Sequence, residues 1–343
     1  MSILITGGAG FIGSHFVRRM VNQDKQVVVL DKLTYAGNLE NLKDITEDSK
    51  KSKQCKFYKG DICNQELVEH IVSAEGVDVI VNFAAETHVD RSILSASTFI
   101  DTDMKGVFIL LEAARHHKVK KFIQISTDEV YGTAHHGAFR ETDALNPSNP
   151  YSASKAGGDR LAYSYWITYR LPIIITRASN NYGPYQYPEK FIPLFITNAL
   201  EDRKLPLYGD GKQVRDWIHV EDHCASIDFL MMHGKDGEVY NIGGGNEWSN
   251  IDTANLILKE LKKDKTLIEH VKDREGHDRR YALDCTKLAS LGCKPKIKFE
   301  NGLKDTIQWY KNNQGWWNRI KNGEFMEYYN RQYNHRFRNS PMC

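Results

Sequence analysis

The sequence predicts an α/β protein organised around a doubly wound parallel sheet, and three observations carry that reading. Short Val/Ile-rich runs alternate with longer helical patterns through the first half of the chain. The apolar runs are continuous instead of alternating, as strands covered on both faces must be. The links between them are short, the mark of successive βα units. Strands are expected in order at 2–6, 26–31 (Gln26-Val27-Val28-Val29-Leu30-Asp31), 56–60, 77–83 (ending Val79-Ile80-Val81-Asn82-Phe83), 119–126 (with Phe122-Ile123-Gln124-Ile125) and 172–177 (Pro172 through Arg177). Helices are expected between them near 11–22, 38–45, 64–74, 98–116 and 150–170. From about residue 178 the rhythm breaks, with Tyr182-Gly183-Pro184-Tyr185 and Gly209-Asp210-Gly211 among irregular strand and helix pieces. The expected organisation is a larger doubly wound domain over 1–178, with some later segments interleaved, and a smaller mixed α/β lobe over 179–343.

At 343 residues the chain can bury a sizeable core. Its 46 Lys plus Arg against 44 Asp plus Glu leave a formal charge of +2, without the basic footprint that nucleic-acid binding needs. No run approaches the ~18 apolar residues of a membrane span. Met1 to Thr6 enters a strand without a basic segment, apolar stretch or cleavage site, so no secretory leader is expected. Cysteines 55, 63, 224, 285, 293 and 343 form no C-x-x-C pair, and no metal-ligand rhythm exists. They read as reduced thiols of a cytoplasmic protein. His116-His117 and His135-His136 lack a third ligand at a suggestive spacing and read as solvated loop or helix-end residues.

Gly7-Gly8-Ala9-Gly10-Phe11-Ile12-Gly13 follows the first strand and opens the first helix. Glycines at 7, 10 and 13 allow a tight turn, close backbone approach to a pyrophosphate and close helix–strand packing. Asp31 ends the second strand, where a carboxylate accepts hydrogen bonds from a ribose 2′-hydroxyl and repels a 2′-phosphate. NAD is therefore expected over NADP, with Lys32 next door a countervailing charge. Gly60-Asp61-Ile62 and Ala84-Ala85-Glu86 sit at the ends of the third and fourth strands, where the rest of a dinucleotide would lie.

The most informative stretch is Ser126-Thr127-Asp128-Glu129-Val130-Tyr131-Gly132, at the end of the fifth strand. Open α/β sheets bind ligands outside the carboxyl ends of their strands. Downstream, Tyr151-Ser152-Ala153-Ser154-Lys155 puts a phenol and an ammonium on one helix face. There an ammonium can lower the phenol's pKa and make it a usable base. An enzyme that only moves a hydride needs the Tyr–Lys pair; one that also eliminates water needs a further acid and base, and Asp128 and Glu129 supply them. Neighbouring side chains on a regular strand face opposite ways. Residues 127–129 are thus expected where the strand ends and turns.

With these motifs the chain resembles the extended short-chain dehydrogenase/reductases, whose nucleotide-binding half is Rossmann-type, and within them the nucleotide-sugar 4,6-dehydratases. The resemblance covers nearly the whole chain, including Thr87-His88-Val89-Asp90-Arg91-Ser92, Asn180 to Tyr185, Pro188-Glu189-Lys190, Arg215-Asp216-Trp217 and Gly276 to Tyr281. Related sugar 4-epimerases lack the acidic pair. The chain departs from the family at Thr87, usually Ser, and at Glu275, where Pro is common. The resemblance implies a redox-neutral lyase reaction on a nucleoside-diphosphate glucose, dTDP-glucose favoured and UDP-glucose the alternative. Tyr151, made acidic by Lys155 and the nicotinamide charge, would take the O4 proton during C4 oxidation; Glu129 would remove the C5 hydrogen; Asp128 would protonate the departing C6 hydroxyl; Thr127 would orient the sugar at O4. Phe11, Ile12, Lys32, Leu33, Thr34, Asp61, Ile62, Ala84, Ala85, Glu86, Thr102 and Asn181 would complete the NAD site. His88, Asn180, Glu189, Lys190, Leu194, Pro206, Tyr208, Arg215, Asn250, Arg274, His277 and Tyr281 would hold the nucleotide sugar, with Arg215, Arg274 and Lys190 as cations for the diphosphate. A homodimer is expected through the helices near 98–116 and 150–170, motivated by Val107, Phe108, Leu110, Leu111, Ala113 and Ala114. A 4-epimerase would leave the carboxylate pair without a task, and a silent NAD-binding protein would have no reason to keep five reactive groups.

Overall fold

The structure, a computed structural model, describes residues 1–274 and 276–338; Glu275 and Cys343 lie outside the described residues. Strands β1 (Ser2–Thr6), β2 (Gln26–Asp31), β3 (Cys55–Lys59), β4 (Val79–Asn82), β5 (Lys121–Thr127) and β6 (Ile173–Ala178) follow one another as the apolar runs predict. Then come β7 (Asn180–Tyr182), β8 (Leu205–Tyr208), β9 (Val214–His219), β10 (Val239–Ile242), β11 (Glu247–Ser249) and β12 (Ile268–Val271). Seven of these form one sheet in the order β10-β6-β5-β4-β1-β2-β3, every pairing parallel.

The continuous apolar runs have a direct physical reason. Ile3, Val29, Ile123 and Ile174 pack on one side against the helices Phe11–Asn22 and Val220–His233, through Phe16, Met20, Ile227 and Leu230. Their neighbours Leu4, Val28, Phe122 and Ile173 face the other side, against Ile71, Leu110 and Ala162 of the helices Gln65–Ala74, Val107–His116 and Pro150–Tyr169. Both faces of the central strands are therefore covered, which favours unbroken apolar runs; Asn82, Gln124, Thr176 and Arg177 are buried polar exceptions.

Three local departures from the sequence reading stand out. The expected helix at 38–45 is a 3₁₀ turn, Leu39–Leu42, followed by the short helix Lys43–Thr46. The expected 98–116 helix is interrupted by a π-helical turn over Asp101–Gly106. A further short helix, Val89–Leu94, forms inside the motif that contains His88. On the Val107–His116 helix, Val107, Leu110, Leu111, Ala113 and Ala114 point into the core, so of the residues that suggested a dimer face Phe108 alone is exposed.

The later chain is interleaved with the first half. β10 extends the large sheet beside β6, and the helix Val220–His233 covers the face shared with Phe11–Asn22. The remainder forms two small sheets, β11-β9-β7 and β12-β8, around a third core that includes Phe195, Trp217, Leu258, Phe299 and Tyr310. The C-terminal aromatics Trp316, Trp317, Phe325 and Tyr329 pack into this core. Among the described residues no helix is long and apolar enough to cross a membrane, and no cluster of His, Cys, Asp and Glu could hold a metal ion.

Candidate active site

Strand order reverses between β1 and β4, and the crevice at their carboxyl ends is where the glycine turn lies. Gly7 has φ +66°, and a Cβ there would stand 2.8 Å from the Ala84 nitrogen; a Cβ on Gly13 would stand 2.2 Å from the Gly7 carbonyl oxygen. The backbone is thus packed too closely for any side chain at either position. The helix Phe11–Asn22 starts without a side-chain cap, which leaves its first N–H groups and positive dipole end for an anion. Asp31 accepts hydrogen bonds from the Ala9 N–H at 2.9 Å and the Leu33 N–H at 2.8 Å. Burial nevertheless raises its pKa. The Lys32 ammonium is paired with Asp61 at 2.7 Å, which offsets part of its charge beside the site.

One continuous cleft is lined by Gly7, Gly10, Phe11, Ile12, Gly13, Asp31, Lys32, Thr34, Asp61, Ile62, Ala84, Ala85, Glu86, Thr102 and Asn181, together with Thr127, Asp128, Glu129, Tyr151 and Lys155. Leu33 is the exception among the expected cofactor residues. Its side chain packs on the core beside β2, and only its N–H serves the site, through Asp31. Ser126, quoted in the β5 motif without a role, and His223, not singled out from the sequence, also line the cleft. The Ser126 hydroxyl and His223 Nε2 are buried without a partner among the described residues, while His223 Nδ1 lies 2.9 Å from Asn181 Oδ1. Partnerless polar atoms on the wall of a glycine-floored cleft fit a polar cofactor.

The chain turns where the two acids require it. β5 ends at Thr127, whose hydroxyl accepts from the Glu129 N–H at 3.3 Å and caps the 3₁₀ turn Asp128–Tyr131. That turn breaks strand alternation and brings both carboxylates to the same cleft. Thr127 donates to one Asp128 oxygen at 3.2 Å; the other, Oδ2, is buried and has no partner. Burial, then the Glu129 and Asp216 carboxylates, hold Asp128 well above the usual carboxylate range. Glu129 is raised by burial too, but Arg274 and Arg215 oppose the shift, and the Tyr281 hydroxyl donates to it at 3.3 Å. Two adjacent carboxyls are pushed apart by their surroundings, the pattern of an acid and a base.

Tyr151 and Lys155 ride on the helix Pro150–Tyr169, which starts with a capping box between Asn149 and Ser152 and has Pro150 in its first turn. The Lys155 ammonium donates to the Ile125 carbonyl at 2.8 Å, and burial lowers its pKa. Tyr151 keeps part of its surface open to the cleft. Its phenol is not acidified within the protein: burial, then Glu129 and Asp103, push it well above the ordinary value, against the Thr127 hydroxyl. The helical spacing puts the pair on one helix face, but burial, and after it the carboxylates, keep the phenol high.

A second cleft opens from the first, sharing Glu129, Asn180, Glu189 and Lys190 with it. His88, Leu194, Pro206, Tyr208, Arg215, Asn250, Arg274, His277 and Tyr281 complete the expected set, joined by Asp90, Trp217 and Tyr333. Asp90 and Trp217 lay inside quoted motifs without a role, and Tyr333 was not singled out from the sequence. Among the described residues Arg215 bonds carbonyl oxygens, Val214 at 2.8 Å and Asp278 at 3.0 Å, and its guanidinium stacks 4.3 Å from the Tyr281 ring. Arg274 lies 3.5 Å from Asp90, and its Nε is buried without a partner among the described residues. The Lys190 ammonium donates to Thr87, at its carbonyl and its hydroxyl. Burial holds His88 well below its ordinary value and His277 at about 4, with nearby cations adding to both shifts. A pocket with neutral histidines and guanidiniums that retain unused donors fits a diphosphate.

Residues 4–306 match the family model described as GDP-mannose 4,6 dehydratase. The chain is 49% identical to the dTDP-glucose 4,6-dehydratase of Streptomyces niveus over 328 residues, 94% of this chain and 96% of that one. It is 51% identical to the low-salt glycan biosynthesis protein Agl12 of Haloferax volcanii over 311 residues, covering 90% and 98%. Among solved structures, DesIV, a dTDP-glucose 4,6-dehydratase from Streptomyces venezuelae crystallised with NAD, superposes with a TM-score of 0.90 at 47% identity, covering 94% of this chain and all of that one. With the acidic pair at the end of β5 and a glycine-floored cleft beneath it, the chain belongs to the nucleotide-sugar 4,6-dehydratase family of extended short-chain dehydrogenases/reductases.

Proposed function

We propose that this protein is an NAD-dependent hydro-lyase that converts dTDP-glucose to the 4-keto-6-deoxy sugar. The observation that carries the reading is the junction of the two clefts, where the buried, partnerless Asp128 oxygen stands beside Glu129 at the end of β5. NAD, when bound, supplies the oxidant at C4 and the reductant at C6, with no net redox change. Tyr151 takes the O4 proton, and the high pKa of its phenol in the protein alone ties that step to the positive charge of the bound cofactor. The C4 ketone acidifies the C5 hydrogen, and Glu129 removes it as a proton. Asp128, kept protonated by burial and by Glu129, gives its proton to the C6 hydroxyl, which leaves as water. C5 then regains a proton as C6 is reduced. Thr127 orients O4, and Arg215, Arg274 and Lys190 hold the diphosphate.

Incubation with dTDP-glucose and with UDP-glucose separately, followed by the alkaline absorbance of a 4-keto sugar, tests the reading. Product from dTDP-glucose supports it, product from UDP-glucose alone reassigns the base, and product from neither refutes it. Ile100, Met104 and Phe108, exposed at helical spacing, together with exposed Tyr163 and Ile167 on the adjacent helix, support a homodimer through this face. Sedimentation showing only a 39.4 kDa species at micromolar concentration would refute that. The free thiols at 55, 63, 224, 285 and 293 accord with a cytoplasmic location.

A further inference from the structure

One buried carboxyl beside the reacting groups has no task in that sequence of steps. Asp103 lies in the π-helical turn Asp101–Gly106, between Thr102, which lines the cofactor cleft, and the helix that carries Tyr151 and Lys155. It is 2% exposed. One oxygen accepts from the Glu86 N–H at 3.2 Å, in the loop after β4; the other lies 2.8 Å from the Ser154 hydroxyl. The same hydroxyl is 2.8 Å from the Tyr151 carbonyl oxygen. A hydroxyl has a single proton. With Asp103 neutral both contacts are filled, the carboxyl donating to Ser154 and Ser154 donating to Tyr151; with Asp103 ionised, the serine proton must serve two acceptors. The approach is tight, since a Cβ on Gly158 would stand 2.3 Å from the Asp103 carbonyl oxygen.

We propose that Asp103 is a positioning residue of the proton-transfer machinery, locking the Tyr151–Lys155 turn to the cofactor-lining loop after β4 and supplying the buried negative charge that balances Lys155. The proposal rests on the reading of Tyr151 as proton acceptor. The charged groups around Asp103 are Lys155, which stabilises its ionised form, and Glu86, whose carboxyl it pushes up. Tyr151 in turn faces Glu129, Asp103 and Asp128. Burial lifts Asp103 to about 6, so its charge changes within the range where such an enzyme works. The ionised carboxyl makes Tyr151 harder to deprotonate; removing the charge makes it easier.

Asp103→Asn keeps the geometry, with the amide oxygen accepting from Glu86 and the amide N–H donating to Ser154, and deletes the charge. Asp103→Ser deletes the charge and most of the bonding. The readout is the tyrosinate absorbance of Tyr151 in the NAD-loaded protein, taken as the difference between each variant and its Tyr151→Phe counterpart across pH. This needs no turnover, so it stands apart from failure of the wild-type protein to dehydrate dTDP-glucose. The Tyr151 midpoint should move to lower pH by roughly one unit in Asp103→Asn, a tenfold change in ionised fraction. The acid limb of kcat/KM with dTDP-glucose should move with it, and Asp103→Ser should in addition lose roughly tenfold in kcat at every pH as the turn slackens. Superimposable titrations for whichever variants still bind NAD, or loss of NAD binding in both, would mean that the carboxyl only packs the helix and would overturn the proposal.

Discussion

The two clefts that meet at Glu129 are built in different ways. The cofactor cleft is floored by backbone: a glycine turn after β1, a bare helix start, and strand ends arranged by one sheet. Its main carboxylate, Asp31, holds two backbone N–H groups of the surrounding loop. The second cleft is built from long side chains, with Lys190, Arg215 and the pair Arg274 and His277 converging from three segments. Backbone sites tolerate little change of shape; side-chain sites tolerate shape change but not loss of charge. The two halves should therefore fail differently when altered.

The largest effect belongs where the clefts meet. Tyr151→Phe should cost ~10²–10⁴-fold in kcat/KM with no reduced nicotinamide forming on addition of dTDP-glucose. Rapid-mixing absorbance checks this, and reduced nicotinamide at the wild-type rate would remove Tyr151 from the first step. In the side-chain cleft, Arg215→Ala and Arg274→Ala each delete a charged hydrogen-bond donor worth about 1.5–3 kcal/mol, so KM should rise roughly 10–100-fold with kcat much less affected. If kcat fell and KM held, the guanidiniums would be acting on the chemistry instead of the diphosphate. In the backbone cleft, Lys32→Ala should leave the preference for NAD over NADP within about threefold, because Lys32 is already paired with Asp61. A switch toward NADP would contradict this.

A separate effect is a pH dependence of stability. Burial holds His223 at about 3, against 6.5 for the free side chain. The unfolded chain thus binds the proton first, and the stability contributed by neutral His223 is complete above 6.5 and is lost as pH falls toward about 3. Raised carboxyls such as Asp128 act in the opposite sense, so the comparison must be between proteins. His223→Asn should flatten the acid slope of the denaturant midpoint relative to wild type, and parallel slopes would contradict the assignment.

The same contrast explains what the sequence revealed. The large sheet was legible because strands buried on both faces must be unbroken Val/Ile runs. The cofactor floor was legible because Gly7 to Gly13 and Asp31 are local motifs with a steric reason. The turn at Thr127 followed from the need to bring Asp128 and Glu129 to one side. The residues assigned to the nucleotide sugar came from family resemblance alone, since no spacing links Lys190 to Arg274 across the fold. Two features stayed hidden. The π-turn at Asp101–Gly106 has the composition of ordinary helix, which left Asp103 unremarked. The elevated phenol of Tyr151 depends first on burial and then on Glu129 and Asp103, which sequence distance separates from it.

The central claim is that Asp128 and Glu129 divide the dehydration between them. Its most direct test is the fate of C5 when Asp128→Asn and Glu129→Gln are each given dTDP-glucose in deuterated water. Asp128→Asn should oxidise C4 and exchange the C5 hydrogen for deuterium while the C6 hydroxyl stays on the sugar. Glu129→Gln should accumulate reduced nicotinamide with no deuterium at C5. If both variants instead release the 4-keto-6-deoxy product at the wild-type rate, the acidic pair is structural and the account is wrong.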